Sequence, residues 1–433
     1  MFQTFRNAWK IPDLRKKILY TILIVIIFRI GCFIPVPFLN HNALQNMTST
    51  EGTFMQIFDV MSGGSFSKAT LFALSITPYI NASIIINLLT VAIPALERLA
   101  KEGATGRKKI NFITRIASLV LALILSLGYF LTLKSQGAYT ISKYNEGTAA
   151  VWFTSIVIIL AFTAGASLIM WLGEQINDKG IGNGISIILF ASIVSRGLDA
   201  VKSLYSAVQL GTKYAVLIPV VLLIFIAMIV FVVYITNAER RIPIQYAKRV
   251  VGRKMYGGQN THIPIKIAMN GVMPIIFAMS LMSIPATIFQ FTGVPKGGFW
   301  LGFYKAVSNT GVIYAVVYFL LIVGFSYFYA AIQYNPIEIA NNLRKNNGGI
   351  PGIRPGRPTS DFISKVISKI TIIGAIFLAI IAILPIVFAR FMPEVSGISL
   401  GGTTLLILVG VSLETARTLE SQMMMRHHKG FLE

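Results

Sequence analysis

The sequence has little charge for its size, and most of the charge that it does have is positive. Only 12% of the 433 residues are charged, with 38 Lys and Arg against 16 Asp and Glu. So few charges cannot cover the surface of a soluble protein of this length. Because 55% of the residues are hydrophobic, the composition predicts an integral membrane protein.

The residues that usually carry chemistry are also scarce. Cys32 is the single cysteine, which excludes an internal disulfide, and nothing near it has metal-ligand spacing. The sequence contains no Walker loop, no HExxH zinc motif and no GxSxG nucleophile elbow. We therefore expect a protein that is not an enzyme and that needs no cofactor or metal.

Acidic residues are missing from the middle of the apolar segments. Carriers coupled to protons or sodium commonly place a carboxylate at the bilayer midplane, where it can be reached from both sides. This absence disfavours an ion-coupled carrier, although a secondary transporter with inverted repeats remains the alternative hypothesis. A membrane enzyme or insertase without a pore would need a catalytic dyad or a polar groove, and we identify neither.

Long apolar segments are abundant. A helix needs about 20 apolar residues to cross a bilayer, and strict apolar and polar alternation, which would indicate a barrel, is lacking. The sequence therefore predicts an all-α polytopic membrane protein. The ten candidate spans are 18–36, 70–94, 116–133, 152–173, 181–195, 214–235, 267–292, 312–334, 370–389 and 397–413.

The positive charges predict how these spans are oriented. If the N-terminus is cytoplasmic, 28 of the 38 Lys and Arg lie in inner segments and nine in outer ones, with Arg29 inside the first span. This is the bias expected of cytoplasmic loops. Ten spans place both termini inside and divide into two halves of five, a count that allows an inverted pseudo-repeat. The predicted units are 1–17 (cytoplasmic segment), 18–203 (helices 1 to 5), 204–420 (helices 6 to 10) and 421–433 (cytoplasmic tail).

Three regions carry unusual patterns. Residues 54–72, FMQIFDVMSGGSFSKATLF, combine a short amphipathic start with a Gly63-Gly64 break, which suits a re-entrant or cap element, or else an interfacial helix. The inner loops 237–266 and 335–369 mix Arg and Lys with Gly and Pro, and 237–266 also contains Tyr. Such loops suit a negatively charged partner, such as ribosomal RNA or an acidic protein surface.

Several motifs, in the same order along the chain, resemble the SecY family of bacterial protein-conducting channels. They are FRIGCFIPVP (28–37), TPYINASIIINLL (77–89), MWLGEQINDKGIGNGISII (170–188), AKRVVGRKMYGGQNTHIPIKIAMNGVMPIIFA (247–278), IPGIRPGRPT (350–359) and GGTTLLILVGVSLE (401–414). The resemblance implies a channel that exports unfolded polypeptides across the bacterial plasma membrane and inserts membrane proteins laterally into it.

The resemblance also implies roles for individual residues. A ring of aliphatic side chains would narrow the pore: Ile80, Ile84, Ile185, Leu189, Ile276 and Ile407, with Leu406 as the alternative in the tenth helix. A plug at about 54–67 would close the pore from outside: Phe54, Ile57, Phe58, Met61, Gly63, Gly64 and Phe66.

Polar residues at helical spacing on the second and seventh helices are Ser83, Asn87, Thr90, Ser280, Ser283 and Thr287. In the family these helices form a lateral gate for signal peptides, although ordinary interhelical hydrogen bonding also explains such residues. Docking of a motor or ribosome would fall to Lys248, Arg249, Arg253, Lys254, Arg354 and Arg357. The implied partners are SecE and SecG in the membrane, the SecA motor, the ribosome, signal peptides and translocating polypeptides. The basic N-terminal segment is expected to attract anionic lipid.

Overall fold

A computed structural model describes residues 2–39, 59, 62–135, 148–197, 202, 212–246, 249–251, 254–256, 260–267, 271–292, 298, 301–302, 312–391 and 402–427. Within these ranges the chain is mostly α-helical. The helices are α1 (Phe2–Lys10), α2 (Pro12–Gly31), α3 (Thr77–Ala92), α4 (Pro94–Lys101), α5 (Ala104–Ser135), α6 (Thr148–Lys179), α7 (Gly184–Ser195), α8 (Thr212–Asn237), α9 (Met273–Thr292), α10 (Val312–Gln333), α11 (Pro336–Lys345), α12 (Arg357–Phe391) and α13 (Gly402–His427).

Each of the ten apolar segments contains part of one of these helices. Four helical stretches among the described residues are long and apolar enough to cross a membrane: Ala104–Lys134, Ala150–Lys179, Ile313–Lys345 and Arg357–Leu384. The pair α3 and α4 gives a fifth if these helices, which bend by 100°, are counted together. The other apolar helices, among them α7, are shorter.

The second candidate span is only partly helical. Turns run through 62–76, and α3 begins at Thr77, with Pro78 in its first turn. Gly63, Gly64, Ala69 and Ser75 all have positive φ, a conformation that right-handed helices do not contain. Prediction of a single helix over 70–94 was therefore wrong at its start, because hydropathy does not report these backbone turns.

The chain is not all-α, because the basic loops 237–266 and 335–369 contain strands. The strands are β1 (Glu239–Tyr246), β2 (Arg249–Val251), β3 (Lys254–Tyr256), β4 (Asn260–Lys266) and β5 (Gly348–Gly349). Strands β4, β1 and β5 form one antiparallel sheet in that order, and β2 pairs with β3. Ile242 and Ile244 alternate with exposed residues along β1, the period of two typical of a half-buried strand.

The sheet joins the two basic loops. Gln245 of β1 pairs with Gly349 of β5, which belongs to the loop 335–369. Buried Ile242, Ile244 and Ile265 pack in one apolar cluster with Ile363 and Ile367 of α12. The basic loops are thus parts of one folded cap on α11 and α12.

The largest apolar cluster lies between the helices of the bundle. It contains buried residues of α2, α3, α6, α7, α8, α9, α10, α12 and α13. Helix α3 contacts both α5 and α9, and α10 contacts α9 and α12. The candidate site is built on this cluster.

Candidate functional site

Five of the six predicted ring residues belong to the largest apolar cluster of the described residues, and Ile185 packs against it. Ile80 and Ile84 lie on α3, Ile185 and Leu189 on α7, Ile276 on α9 and Ile407 on α13. Five of the six side chains are between 1% and 5% exposed, and Ile185 is half-buried. Leu406 is buried as deeply as Ile407, each at 2%, so burial does not separate the two registers in α13.

A glycine-rich turn positions the α7 members of the ring. The Asn183 side chain caps α7 by accepting hydrogen bonds from the backbone N–H groups of Ile185 (3.1 Å) and Ser186 (3.4 Å). A Cβ at Gly184 would lie 1.9 Å from the carbonyl oxygen of Gly173 on α6. Glycine at this position therefore lets α7 start directly against α6, and the GIGNG sequence has a structural role here.

Three helices hold the turn that follows Asp59. The Tyr129 hydroxyl of α5 donates to the carbonyl oxygen of Phe66 at 2.6 Å, and the two rings are 4.5 Å apart. Arg29 of α2 donates from Nη1 to the carbonyl oxygen of Gly63 at 3.5 Å. Arg29, the charged residue inside the first span, therefore bonds a carbonyl group of the turn. Gly63 has a φ of 65°, and a Cβ there would lie 3.2 Å from Cα of Ser192 on α7.

The same turn contains a buried ion pair that sequence analysis missed. Asp59 pairs with Arg196, which caps the C-terminus of α7, and their side chains are 5% and 32% exposed. Asp59 lies outside the apolar segments, and nothing in the local sequence indicates a partner 137 residues away. Gly64 also lies in the turn. Of the predicted plug residues, Phe54, Ile57, Phe58 and Met61 lie outside the described residues.

The polar residues predicted for a gate lie on helices that contact each other, α3 and α9. Ser83, Asn87 and Thr90 are half-buried on α3, and Ser280 is buried on α9. Ser283 and Thr287 belong to α9, but their side chains are outside the described part.

A third helix, α10, lies beside the contact between α3 and α9, which is called the seam below. Asn87 lies close to the hydroxyl of Tyr329 on α10, and the Tyr329 ring lies 4.9 Å from the ring of Phe277 on α9. Thr90 Oγ1 donates to the carbonyl oxygen of Asn87 on its own helix at 2.6 Å. Tyr329 was not predicted, because a tyrosine in an apolar helix gives no sign of which neighbour its hydroxyl meets.

Four of the six candidate docking residues lie in the described part of the cap. Arg354 is exposed in the turn before α12, between Gly352 and Gly356, both of which have positive φ. Its carbonyl oxygen accepts a hydrogen bond from Thr359 Oγ1 at 2.8 Å, and Arg357 is exposed at the start of α12. Arg249 and Lys254 lie in β2 and β3, whereas Lys248 and Arg253 lie outside the described residues.

The last helix is hydrogen-bonded to the end of α8, next to the cap. Arg417 of α13 donates to the carbonyl oxygen of Thr236 at 2.9 Å and to Asn237 Oδ1 at 2.7 Å, both at the end of α8. Burial, together with the nearby Arg417 guanidinium, lowers the pKa of Lys266 on β4. Positive charge is therefore concentrated where the cap meets α13.

Comparisons with known proteins identify the family. The SecY family profile matches residues 70–416. The protein translocase subunit SecY of Streptomyces scabiei is 41% identical over 441 residues, covering 100% of both chains. A solved protein-conducting channel has a TM-score of 0.63 at 18% identity, covering 94% of this chain and 92% of that one. Sec61 in a canine ribosome–channel complex has a TM-score of 0.58 at 16% identity, with the same coverage. The match to the family profile and the full-length identity together show that the chain belongs to the SecY family of protein translocase subunits.

Proposed function

We propose that this chain forms the channel through which unfolded polypeptides are exported across the bacterial plasma membrane, and from which membrane segments leave laterally into lipid. The observation that carries the proposal is the convergence of aliphatic side chains from α3, α7, α9 and α13 in one cluster. The chain is a multi-pass membrane protein and acts as a channel subunit, as its family does, not as an enzyme.

The proposed topology has ten spans with both termini in the cytoplasm. It is supported by a helix in each apolar segment and by the excess of Lys and Arg in alternate connecting segments. Helices within 18–203 and 204–420 would form the two halves, in opposite orientations. The cap, with β1 to β5, is then cytoplasmic, and the turn after Asp59 lies on the outer side.

In this proposal the ring seals the resting channel. Aliphatic side chains neither coordinate ions nor hold water, so a narrow gap between them dewets and blocks leakage. They also offer no hydrogen-bond partner to a passing polypeptide. The turn held by Arg29, Tyr129 and Arg196 would be the described part of the plug that fills the outer funnel.

The lateral gate would open between α3 and α9. Each interhelical hydrogen bond in a membrane contributes on the order of 1 kcal/mol. A few such bonds hold the two helices together and still allow them to separate. The proximity of Asn87 to the Tyr329 hydroxyl adds α10 to this seam. Opening would then require α3 to separate from two helices of the second half.

The partners would bind on different surfaces. SecE and SecG would bind within the membrane, and the SecA motor or a translating ribosome would bind the basic cap, where Arg354 is exposed. Signal peptides would bind at the seam between α3 and α9. A secondary transporter is not favoured, because the relatives that the chain matches over its full length are translocase subunits.

Reconstitution tests the proposed function. The complex is extracted in mild detergent, its subunits are identified by mass spectrometry, and proteoliposomes are supplied with motor ATPase and a signal-bearing precursor. We expect SecE and SecG to copurify and the precursor to become protected from protease only when ATP is present. The same precursor without its signal peptide is the control. Gradient-driven uptake of a small solute without protection of the precursor would support the transporter instead.

A further inference from the structure

The carboxylate of Asp59 is the point at which the turn is fixed to the helix bundle. Its Oδ2 pairs with Arg196 Nη1 on α7, and its Oδ1 accepts the backbone N–H of Ser67 at 2.8 Å. Its carbonyl oxygen accepts the backbone N–H of Gly64 at 2.9 Å and the hydroxyl of Ser62 at 3.1 Å. A single residue thus closes the turn on itself and attaches it to α7.

A second arginine contacts the same turn from another helix, α2. Arg29 of α2 reaches the carbonyl oxygen of Gly63, and its guanidinium lies 5.4 Å from the centre of the Phe33 ring. A Cβ at Gly63 would lie 3.1 Å from Arg29 Nη1 and 3.0 Å from Ser195 Oγ. The turn therefore fits between two cationic side chains, and Asp59 supplies the negative charge.

Burial makes this arrangement difficult to break. A carboxylate that is 5% exposed is strongly destabilised if its partner is removed, because the charge remains desolvated and unpaired. Arg196 also lies at the C-terminal end of α7, where the helix dipole favours a cation. When the turn moves away from α7, both charged groups become exposed to water. Their hydration then compensates for much of the lost ion-pair attraction.

We propose that the Asp59–Arg196 ion pair is an electrostatic latch that determines how readily the channel opens, an inference that rests on the proposed role of this turn as a plug. With the latch closed, the turn is held against the C-terminal end of α7, where Gly63 lies beside Ser192, three residues after Leu189 of the ring. Separation of the pair is the step that frees the turn, and Arg29 guides it back into place.

A double-mutant cycle of channel conductance tests the latch. Asp59→Asn keeps an oxygen that can accept the Ser67 N–H but removes the charge, and Arg196→Gln removes the other charge. Each change is expected to raise the resting open probability in planar bilayers by about tenfold, the factor that corresponds to ~1.4 kcal/mol. The double variant is expected to open no more often than the more open single variant, because the interaction can be lost only once. Arg196→Lys, which keeps the charge, is expected to remain close to the unmodified chain.

Arg115→Gln is the matched control. Arg115 pairs with Glu174 at 2.6 Å between α5 and α6, so this change breaks an Arg–carboxylate pair away from the turn and should leave the resting conductance unchanged. Unchanged conductance in both single variants, or additive effects in the double variant, would overturn the latch. Conductance with a precursor trapped in the channel is measured on the same membranes. If it persists in every variant the channel function stands, and if it is absent even in the unmodified chain the proposed function fails.

Discussion

Replacing Ile84 and Ile276 together by serine is expected to raise the resting ion conductance of the reconstituted channel by about tenfold or more. Both side chains are buried in the cluster where α3 and α9 meet α7 and α13. A hydroxyl group at each position would hold water, and a fall of ~1.4 kcal/mol in the free energy of wetting makes a hydrated constriction tenfold more frequent. Single-channel recording without a precursor measures this directly.

Two further variants distinguish a role in sealing the pore from a role in ordinary core packing. Ile322→Ser makes the same substitution at one position of the same cluster on α10, where the side chain is fully buried but is not a predicted ring member. It is expected to lower stability by a few kcal/mol, as large-to-small core substitutions do, without raising conductance. Ile84→Leu with Ile276→Leu keeps the ring apolar and should remain sealed. If the serine pair conducts no more than the leucine pair, these residues do not form the seal.

Arg354→Glu is expected to abolish export while leaving the chain correctly inserted. Arg354 is exposed in a turn whose flanking glycines have positive φ and whose backbone is fixed by Thr359. This rigid backbone suits presentation of a planar guanidinium for bidentate bonds to carboxylate or phosphate, which the lysine ammonium group cannot form. Arg354→Lys should therefore impair export, although it keeps the charge. Pulse-labelled export of a secreted precursor is the measurement.

Lys365 provides a control position, at which a substitution keeps the positive charge and changes the side-chain geometry. It is exposed on α12, and Lys365→Arg should export normally, because orientation depends on positive charge and not on side-chain geometry. A protease-accessibility map checks that topology and protein level stay unchanged in every variant. Normal export by Arg354→Glu, or an inverted topology, would remove the docking role.

The positions of the helices could be predicted because hydropathy along a span is a local property. Each apolar segment contains a helix, and the aliphatic residues at i and i+4, such as Ile80 and Ile84, share one buried helix face. The resemblance to the family placed residues from four helices in one ring, and these residues do lie in one cluster. Periodicity within each helix could not have predicted that the four helices lie together.

The missed features depend on long-range contacts or on the backbone. The sheet of β1, β4 and β5 pairs strands across two loops, although the alternation of Ile242 and Ile244 was a usable local signal. The turns through 62–76 require positive φ at Ala69 and Ser75, residue types that rarely adopt it. The Asp59–Arg196 pair connects residues from different ends of the first half of the chain.

The most direct test of the channel is whether a translocating polypeptide passes the ring. A photoreactive amino acid replaces Ile84, and a precursor is stalled halfway through the reconstituted complex by a folded domain at its C-terminus. A matched probe replaces Leu223, which is 68% exposed on α8 and is expected to face lipid. The proposal predicts strong cross-linking of the stalled precursor at position 84 and none at position 223. Efficient translocation with no cross-link at position 84, or with equal cross-linking at both positions, would contradict a pore through this cluster.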